Sequence, residues 1–286
     1  MPPCGGFCNL REGLIPLAEK RKVAQLYVTL GHIKKQQKKL QSAFYAYQNS
    51  LTLVRKYNLK RSYESMPNYY MSQIYKELGD IPLQISYLQA AILSARHIHP
   101  LPLFVIDYLQ ALGEAFENTR QYEQQRAALE EALSLLRTCY PNESKRYSLA
   151  LYDLAHAYGH LCNYDAQLRY LNESLIIDMQ LSNYKDCALA HFSMAQVWEK
   201  MNQYDHQAAS LKQALDVYHV YALPEDILLL SIRIALGDTY KNLNCFEAAQ
   251  ELLLNVLSHP LSHTDPEERT HTYLALGSPL CKNGTS

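Results

Sequence analysis

The chain has 286 residues, 48% apolar and 19% charged, with 10 Gly and 12 Pro, a composition that excludes a disordered or collagen-like chain and supplies a full core. No run of about 18 apolar residues marks a membrane span, and the opening MPPCGGFCNL lacks the basic and apolar regions of an export signal. Net charge is -1 but unevenly spread: residues 1–62 carry 12 Lys and Arg against Glu12 and Glu19, a net of +10, while the remainder carries 15 basic against 26 acidic side chains, a net of -11. Seven cysteines stand at 4, 8, 139, 162, 187, 245 and 281. Their odd number, and the placement of most of them in apolar helical stretches, predict reduced thiols and a cytoplasmic setting.

One pattern recurs along the chain. A Leu or Met followed by a small residue appears at Leu30-Gly31, Met71-Ser72, Leu112-Gly113, Leu154-Ala155, Met194-Ala195, Leu236-Gly237 and Leu276-Gly277, so successive units are 40 to 42 residues long. Three residues after the small one stands an aromatic in five units, Tyr75, Phe116, Tyr158, Trp198 and Tyr240, with Lys34 and Leu280 as exceptions. Nine residues after it come Leu40, Ile81, Tyr122, Tyr164, Tyr204 and Phe246. Seven further on come Tyr47, Leu88, Leu129, Leu171, Leu211 and Leu253, two helical turns away on the same face. Ser50, Ala91, Ala132, Ser174, Ala214 and Val256 follow. Two amphipathic helices per unit account for this, small positions letting backbones approach and large ones filling between them.

Punctuation falls at the expected places. Pro100, Pro102, Pro141, Pro224, Pro260 and Pro266 lie between units, and Pro82 lies in the first turn of a second helix. Asn163-Tyr164-Asp165 and Asn202 to Asp205 read as polar turns within pairs. No stretch alternates long enough for a strand. The seventh unit meets Pro279 and ends at Ser286 without a partner helix, which reads as part of a longer protein or a truncated product.

The pattern resembles the tetratricopeptide repeat in six full units over about residues 24–258. The resemblance implies an all-α fold, a right-handed superhelix of antiparallel helix pairs with a partial seventh unit. Its divisions are an N-terminal tail or cap over 1–21, the superhelical domain over 22–258, and the partial unit and tail over 259–286. Two departures stand out. The family period is about 34 residues, so each unit is expected to carry extra helix or loop before the next first helix. The small residue that opens the second helix is Ala43 and Ala249 at the ends, but Gln84, Gln125, Gln167 and Gln207 in the middle, where looser packing is expected.

The resemblance also selects residues facing a concave groove: Tyr69, Tyr70, Gln73, Lys76, Asp107, Gln110, Glu114, Glu117, Tyr152, Asp153, His156, His160, Phe192, Gln196, Glu199, Lys200, Asp238, Lys241 and Asn242. Aromatics give contact area at low entropy cost and the polar groups fix orientation, so a protein or peptide segment is the expected occupant. An alternative is that some of these rings pack against the neighbouring unit. The Lys, Asn and Arg clamp by which some family members hold a chaperone's C-terminal carboxylate is missing: the matching positions read Val28, His32, Tyr70, Asp107 and Ala111.

His156 and His160 have zinc-helix spacing but lack a third ligand and a Glu after the first His, so no metal and no cofactor is expected. No phosphate loop or nucleophile elbow occurs, and the chain reads as non-enzymatic. Lys34, Lys35, Lys38 and Lys39 are expected to form a compact basic patch with Lys20 to Lys22. The leading functional reading is a peptide- or protein-binding scaffold, the sensor or regulatory part of a signalling protein. It is similar to MalT-like and Rap-like bacterial regulators and to kinesin-light-chain repeats. Two alternatives are a nucleic-acid-associated transcriptional regulator using the basic end, and self-assembly through oppositely charged or uncapped chain ends.

Overall fold

The computed structural model describes residues 16–221, 223 and 226–258; the expectations for Cys4, Cys8, Cys281, Pro224, Pro260, Pro266, Leu276-Gly277, Pro279, Leu280 and the 259–286 tail lie outside them. The described regular structure is helical and falls into two compact units, divided between Tyr140 and Pro141. The first contains α1 (Leu17–Gln36), α2 (Leu40–Lys56), α3 (Ser65–Leu78), α4 (Ile81–Ala95), α5 (Phe104–Asn118) and α6 (Tyr122–Cys139), with a 3-10 turn at Arg61–Glu64 before α3. The second contains α7 (Ser144–His160), α8 (Tyr164–Gln180), α9 (Tyr184–Lys200), α10 (Tyr204–Val220), α11 (Ile227–Asn242) and α12 (Phe246–Ser258). In each unit an odd-numbered helix pairs with the following even-numbered one, and each pair stacks on the next.

Every pair turns by the same device. The residue seven after the small position adopts a left-handed backbone: Lys38, Gly79, Arg120, Cys162, Asn202 and Asn244, with φ between 56° and 74°. The next N–H then donates to the carbonyl three after the small position, as in Asp80 N to Tyr75 O (3.0 Å), Gln121 N to Phe116 O (2.8 Å) and Cys245 N to Tyr240 O (2.8 Å). This is a Schellman closure, which satisfies carbonyls that a helix end leaves open. Asp80 and Asn163 then cap the second helix, accepting from Leu83 N and Ala166 N at 3.1 Å each.

The recurring small and large positions meet in the core. A Cβ on Gly31 would lie 2.4 Å from the Tyr47 ring, one on Gly113 3.1 Å from Leu129, and one on Gly237 2.7 Å from Leu253. Each large partner is at most 2% exposed, and Ser50, Ala91, Ala132, Ser174, Ala214 and Val256 are at most 1% exposed, so these two registers are where the paired helices come closest.

Three expectations need correction. The extra length of the unit is not located uniformly before the next first helix. In the second unit α7 to α10 are each 17 residues long and joined by only three residues, so the long period is longer helix; in the first unit it lies partly in the connections through 57–64 and 96–103. The four middle glutamines are not displaced: Gln84, Gln125, Gln167 and Gln207 are 2 to 4% exposed, and Gly159 leaves room for the Gln167 amide, which a Cβ would approach to 2.5 Å. Of the described cysteines only Cys187 is buried; Cys139, Cys162 and Cys245 are exposed, at the end of α6 or in turns. Among the described residues no helix is long and apolar enough to cross a membrane.

Candidate partner-binding surface

The sequence-selected groove residues all stand on first helices: Tyr69, Tyr70, Gln73 and Lys76 on α3; Asp107, Gln110, Glu114 and Glu117 on α5; Tyr152, Asp153, His156 and His160 on α7; Phe192, Gln196, Glu199 and Lys200 on α9; Asp238, Lys241 and Asn242 on α11. In the first unit they adjoin one another across repeats. Tyr69 stacks on Tyr108 of α5 (ring centroids 4.2 Å, planes 20° apart), and Tyr70 stacks on Tyr47 of α2 (5.4 Å, 17°). His32 of α1 tilts against Tyr70 at 5.4 Å, and Phe104 against Tyr108 at 5.2 Å, so aromatic rings run from α1 through α3 to α5. Tyr69 and Tyr70 are half-buried, each presenting part of its ring to solvent and part to a neighbour. Burial, reinforced by Asp107, Tyr70 and Glu114, raises the Tyr69 phenol above its ordinary value, so the ring is an uncharged, hydrogen-bonding surface at neutral pH.

Charge lies beside this row. The Lys76 ammonium donates to both Glu114 oxygens at 2.7 Å, joining α3 to α5, and Lys35 pairs with Glu77 at 3.1 Å, joining α1 to α3. Such exposed pairs add little stability, about 0 to 1 kcal/mol. They fix the side chains a partner would meet. Glu117 turns toward its own second helix, accepting from Gln125 Nε2 at 3.2 Å.

In the second unit the same positions are more absorbed by packing. Tyr152 and Ser193 hydroxyls are 2.9 Å apart, joining α7 to α9, and the Tyr152 ring packs on His156 at 4.6 Å. Phe192 is half-buried against the core around Leu211 and Leu229, and Lys241 pairs with Asp238 on its own helix at 2.8 Å. Gln196, Glu199, Lys200, His160 and Asn242 are exposed. The rings selected from the sequence therefore do both things weighed for them, contacting the adjacent repeat and keeping an exposed edge. Sequence reasoning missed Tyr108 and Phe104, which lie five and nine residues before the small position, outside the positions carried over from the family. It also missed the stacking of Tyr47 beneath Tyr70, although Tyr47 was already marked as a large core position.

The basic patch is not compact. Lys34 and Lys35 occupy the last turn of α1, Lys38 the left-handed turn and Lys39 the start of α2, where the first two complement the helix C-terminus. Lys20 to Lys22 lie in the opening turns of α1, about 21 Å away at 1.5 Å per residue, and Lys20 sits 4.2 Å over the Tyr57 ring.

Two polar clusters hold a carboxylate, one buried and one half-buried. Asp178 of α8, 4% exposed, accepts from Ser148 Oγ at 2.6 Å and from Asn183 Nδ2 at 3.2 Å, so it is a closed structural carboxylate. Asp226, the cap of α11, accepts from Leu229 N, the Tyr218 hydroxyl (2.7 Å) and Lys185 (2.7 Å). Burial opposes its ionisation, but the Lys185, Tyr218 and Leu229 donors outweigh that and hold its carboxyl below the usual range. His156 and His160 are not joined by a third ligand: among the described residues no group of three His, Cys, Asp or Glu is placed to hold a metal ion.

Residues 106–137, which span most of α5 and α6 and the turn between them, match the tetratricopeptide repeat family model. No curated protein matches the chain by sequence. Among solved structures, RapI in its apo form superposes with a TM-score of 0.65 at 12% identity, covering 96% of this chain and 78% of that one. BtubC from P. vanneervenii gives 0.61 at 14%, covering 85% and 90%. A kinesin-light-chain protein of Podosopora anserina with nearly identical TPR-like repeats gives 0.60 at 16%, covering 72% and 98%. At these identities the likeness is one of fold. The repeated small and large contacts, the shared turn and the likeness to these structures show a fold of tetratricopeptide-like helix pairs, of which one unit, residues 106–137, matches the family model.

Proposed function

We propose that this chain is a non-catalytic scaffold that binds a protein or peptide segment along the first helices, as the regulatory part of a signalling protein. The observation that carries the reading is the row of aromatic rings from α1 to α5, in which His32 is exposed and Tyr69, Tyr70 and Phe104 are half-buried around a buried Tyr108, flanked by Glu114 and Asp107. Rings already held by neighbours lose little freedom on binding, so they give contact area at low entropic cost. The regulatory role draws support from the likeness to RapI, and nothing in that likeness selects a particular pathway.

The test is affinity capture of partners by the full chain and by Glu114→Lys, which leaves the core untouched. A partner retained by the wild type and lost by the variant, with unchanged circular dichroism, supports the reading. A partner held equally by both places binding elsewhere.

A further inference from the structure

α1 carries an apolar row that later repeats bury. Val23, Leu26, Leu30 and Ile33 are 42%, 65%, 42% and 45% exposed, and their alternating spacing sets them in one line along the helix. Relative to the small position Gly31 they stand eight, five and one residues before it and two after it. The same registers hold Val105, Tyr108, Leu112 and Ala115 in α5 and Leu229, Ile232, Leu236 and Thr239 in α11, all at most 7% exposed. Leu229, Ile232 and Leu236 share a core cluster with Leu211 and Ala214 of the preceding second helix α10. The row on α1 is therefore a repeat interface on which no described helix lies. Ala24 and Gly31, the buried residues of α1, and His32 of the aromatic row stand on other sides of the helix.

Width and charge select the occupant. A row of a and d positions is the seam that a single helix fills. From Val23 to Ile33 it runs about 15 Å at 1.5 Å per residue, so about three turns of a partner helix cover it. α1 has five basic side chains and one acidic, Glu19. Lys35 pairs with Glu77 and Lys20 packs on Tyr57, while Lys22 and Lys34 flank the row, one on each side. Lys38 and Lys39 are exposed just beyond its C-terminal end. A second copy would bring the same lysines to the row, and like charges at flanking positions oppose that pairing. Residues 1–15 carry one Arg and one Glu, so they bring no net charge to answer the lysines. A membrane-lying helix presents a wide apolar face with Trp or Phe, and this row has neither.

We propose that this face of α1 docks one amphipathic helix of a partner protein, with an apolar row of about three turns and acidic side chains along both flanks. The apolar row takes the place that a preceding second helix holds in later repeats, and the carboxylates lie toward Lys22 and Lys34. It is a second surface, apart from the first-helix groove.

Two synthetic helices of three heptads, with Leu at a and d, differ only at e and g, Glu in one and Lys in the other. Each is labelled, held at about 10 nM and titrated with the full chain up to about 0.5 mM, followed by fluorescence anisotropy. The Glu helix binds, and at least about tenfold more tightly than the Lys helix, because charges at the rim select between partners. Leu26→Gln, at the most exposed position of the row, weakens the Glu helix at least about fivefold with unchanged helix content. Lys22→Glu combined with Lys34→Glu, both surface changes, reverses the preference between the two helices, and Glu114→Lys leaves both unaffected. No binding of the Glu helix over that range, equal binding of the two helices, indifference to Leu26→Gln, or loss in Glu114→Lys overturns the proposal. So does a chain that self-associates in light scattering, or sediments with phosphatidylserine vesicles, and stops doing so in Leu26→Gln, because the face then belongs to a second copy or to lipid. If Glu114→Lys keeps its captured partner while the Glu helix still binds, the groove reading fails and this one stands. If that capture is lost while the wild type binds no Glu helix, the reverse holds.

Discussion

Replacing Gly31 by Ala tests the packing rule that defines each repeat. In a helix interior Ala is favoured over Gly by about 1 kcal/mol, so propensity alone makes Gly31→Ala stabilising. The added Cβ would stand 2.4, 2.6 and 2.9 Å from three atoms of the Tyr47 ring. Tyr47 is 0% exposed and stacked on Tyr70, so it yields only by giving up that stacking or moving α2. Overpacking of this kind costs about 1 to 3 kcal/mol; the severity of the contact puts the cost near the top of that range, and subtracting the propensity gain of about 1 kcal/mol leaves a net destabilisation of about 2 kcal/mol. At Gly113 the same methyl meets Leu129 at 3.1 Å, which a shift of a few tenths of an ångström relieves, so Gly113→Ala is expected within about 1 kcal/mol of neutral. Gly237→Ala, at 2.7 Å from Leu253, falls between. The assay is native-state hydrogen exchange, because repeats open locally and a single global midpoint conflates them. Protection in α1 and α2 drops in Gly31→Ala, and adding Tyr47→Leu reduces that drop relative to Tyr47→Leu alone, a coupling of about 1 to 2 kcal/mol. A Gly31→Ala chain more stable than wild type, or indistinguishable from Gly113→Ala, refutes the rule.

The remaining predictions concern turns, titration and thiols. Gly79 has φ 74° with nothing near a built Cβ, so Gly79→Ala isolates the backbone term and costs about 1 kcal/mol in urea unfolding; no loss would argue against the left-handed turn. Gln121→Asp and Gln203→Asp each gain about 1 kcal/mol by supplying the cap that Asp80 and Asn163 already make, and a melting comparison with the amide checks it. Burial lowers the His191 pKa, so this histidine is neutral in the fold; its contribution is complete above about pH 6.5 and is lost as pH falls from there through the lowered folded value. Urea midpoints at pH 7.5 and 5.5 therefore differ more in wild type than in His191→Gln, and equal differences would contradict the assignment. Burial, with Asp178 and Asp186 nearby, pushes the Cys187 thiol up to about 11. Maleimide under native conditions accordingly labels Cys139, Cys162 and Cys245 and spares Cys187, as read by peptide mass spectrometry.

What the sequence revealed was what a fixed period along a helix encodes. Gly31 and Tyr47, or Gly113 and Leu129, are separated by the same 16 residues in successive units, and the structure turns that spacing into contact. The turn was visible at Asn202 but hidden at Arg120 and Lys38, residues with no preference for a left-handed backbone, which the paired helices impose. The site was less legible because its contacts cross repeats. Tyr69 was selected by register, but its partner Tyr108 comes from the next repeat at an offset that no single-helix pattern contains. The lysines of the first unit, adjacent in a count of charges, are separated by the length of α1.

The most direct measurement of the binding account compares charge reversals on the two helix faces. Glu114→Lys breaks the Lys76 pair between first helices, and Glu131→Lys breaks the Arg96 pair (2.6 Å) between the second helices α4 and α6. Both are surface ion pairs of similarly small stability contribution, about 0 to 1 kcal/mol, so unfolding does not separate the variants. The dissociation constant for a captured partner is measured with each. The account predicts at least about a tenfold weakening, a change of about 1.4 kcal/mol, for Glu114→Lys and none for Glu131→Lys. Equal effects, or weakening confined to Glu131→Lys, would contradict a partner seated on the first helices.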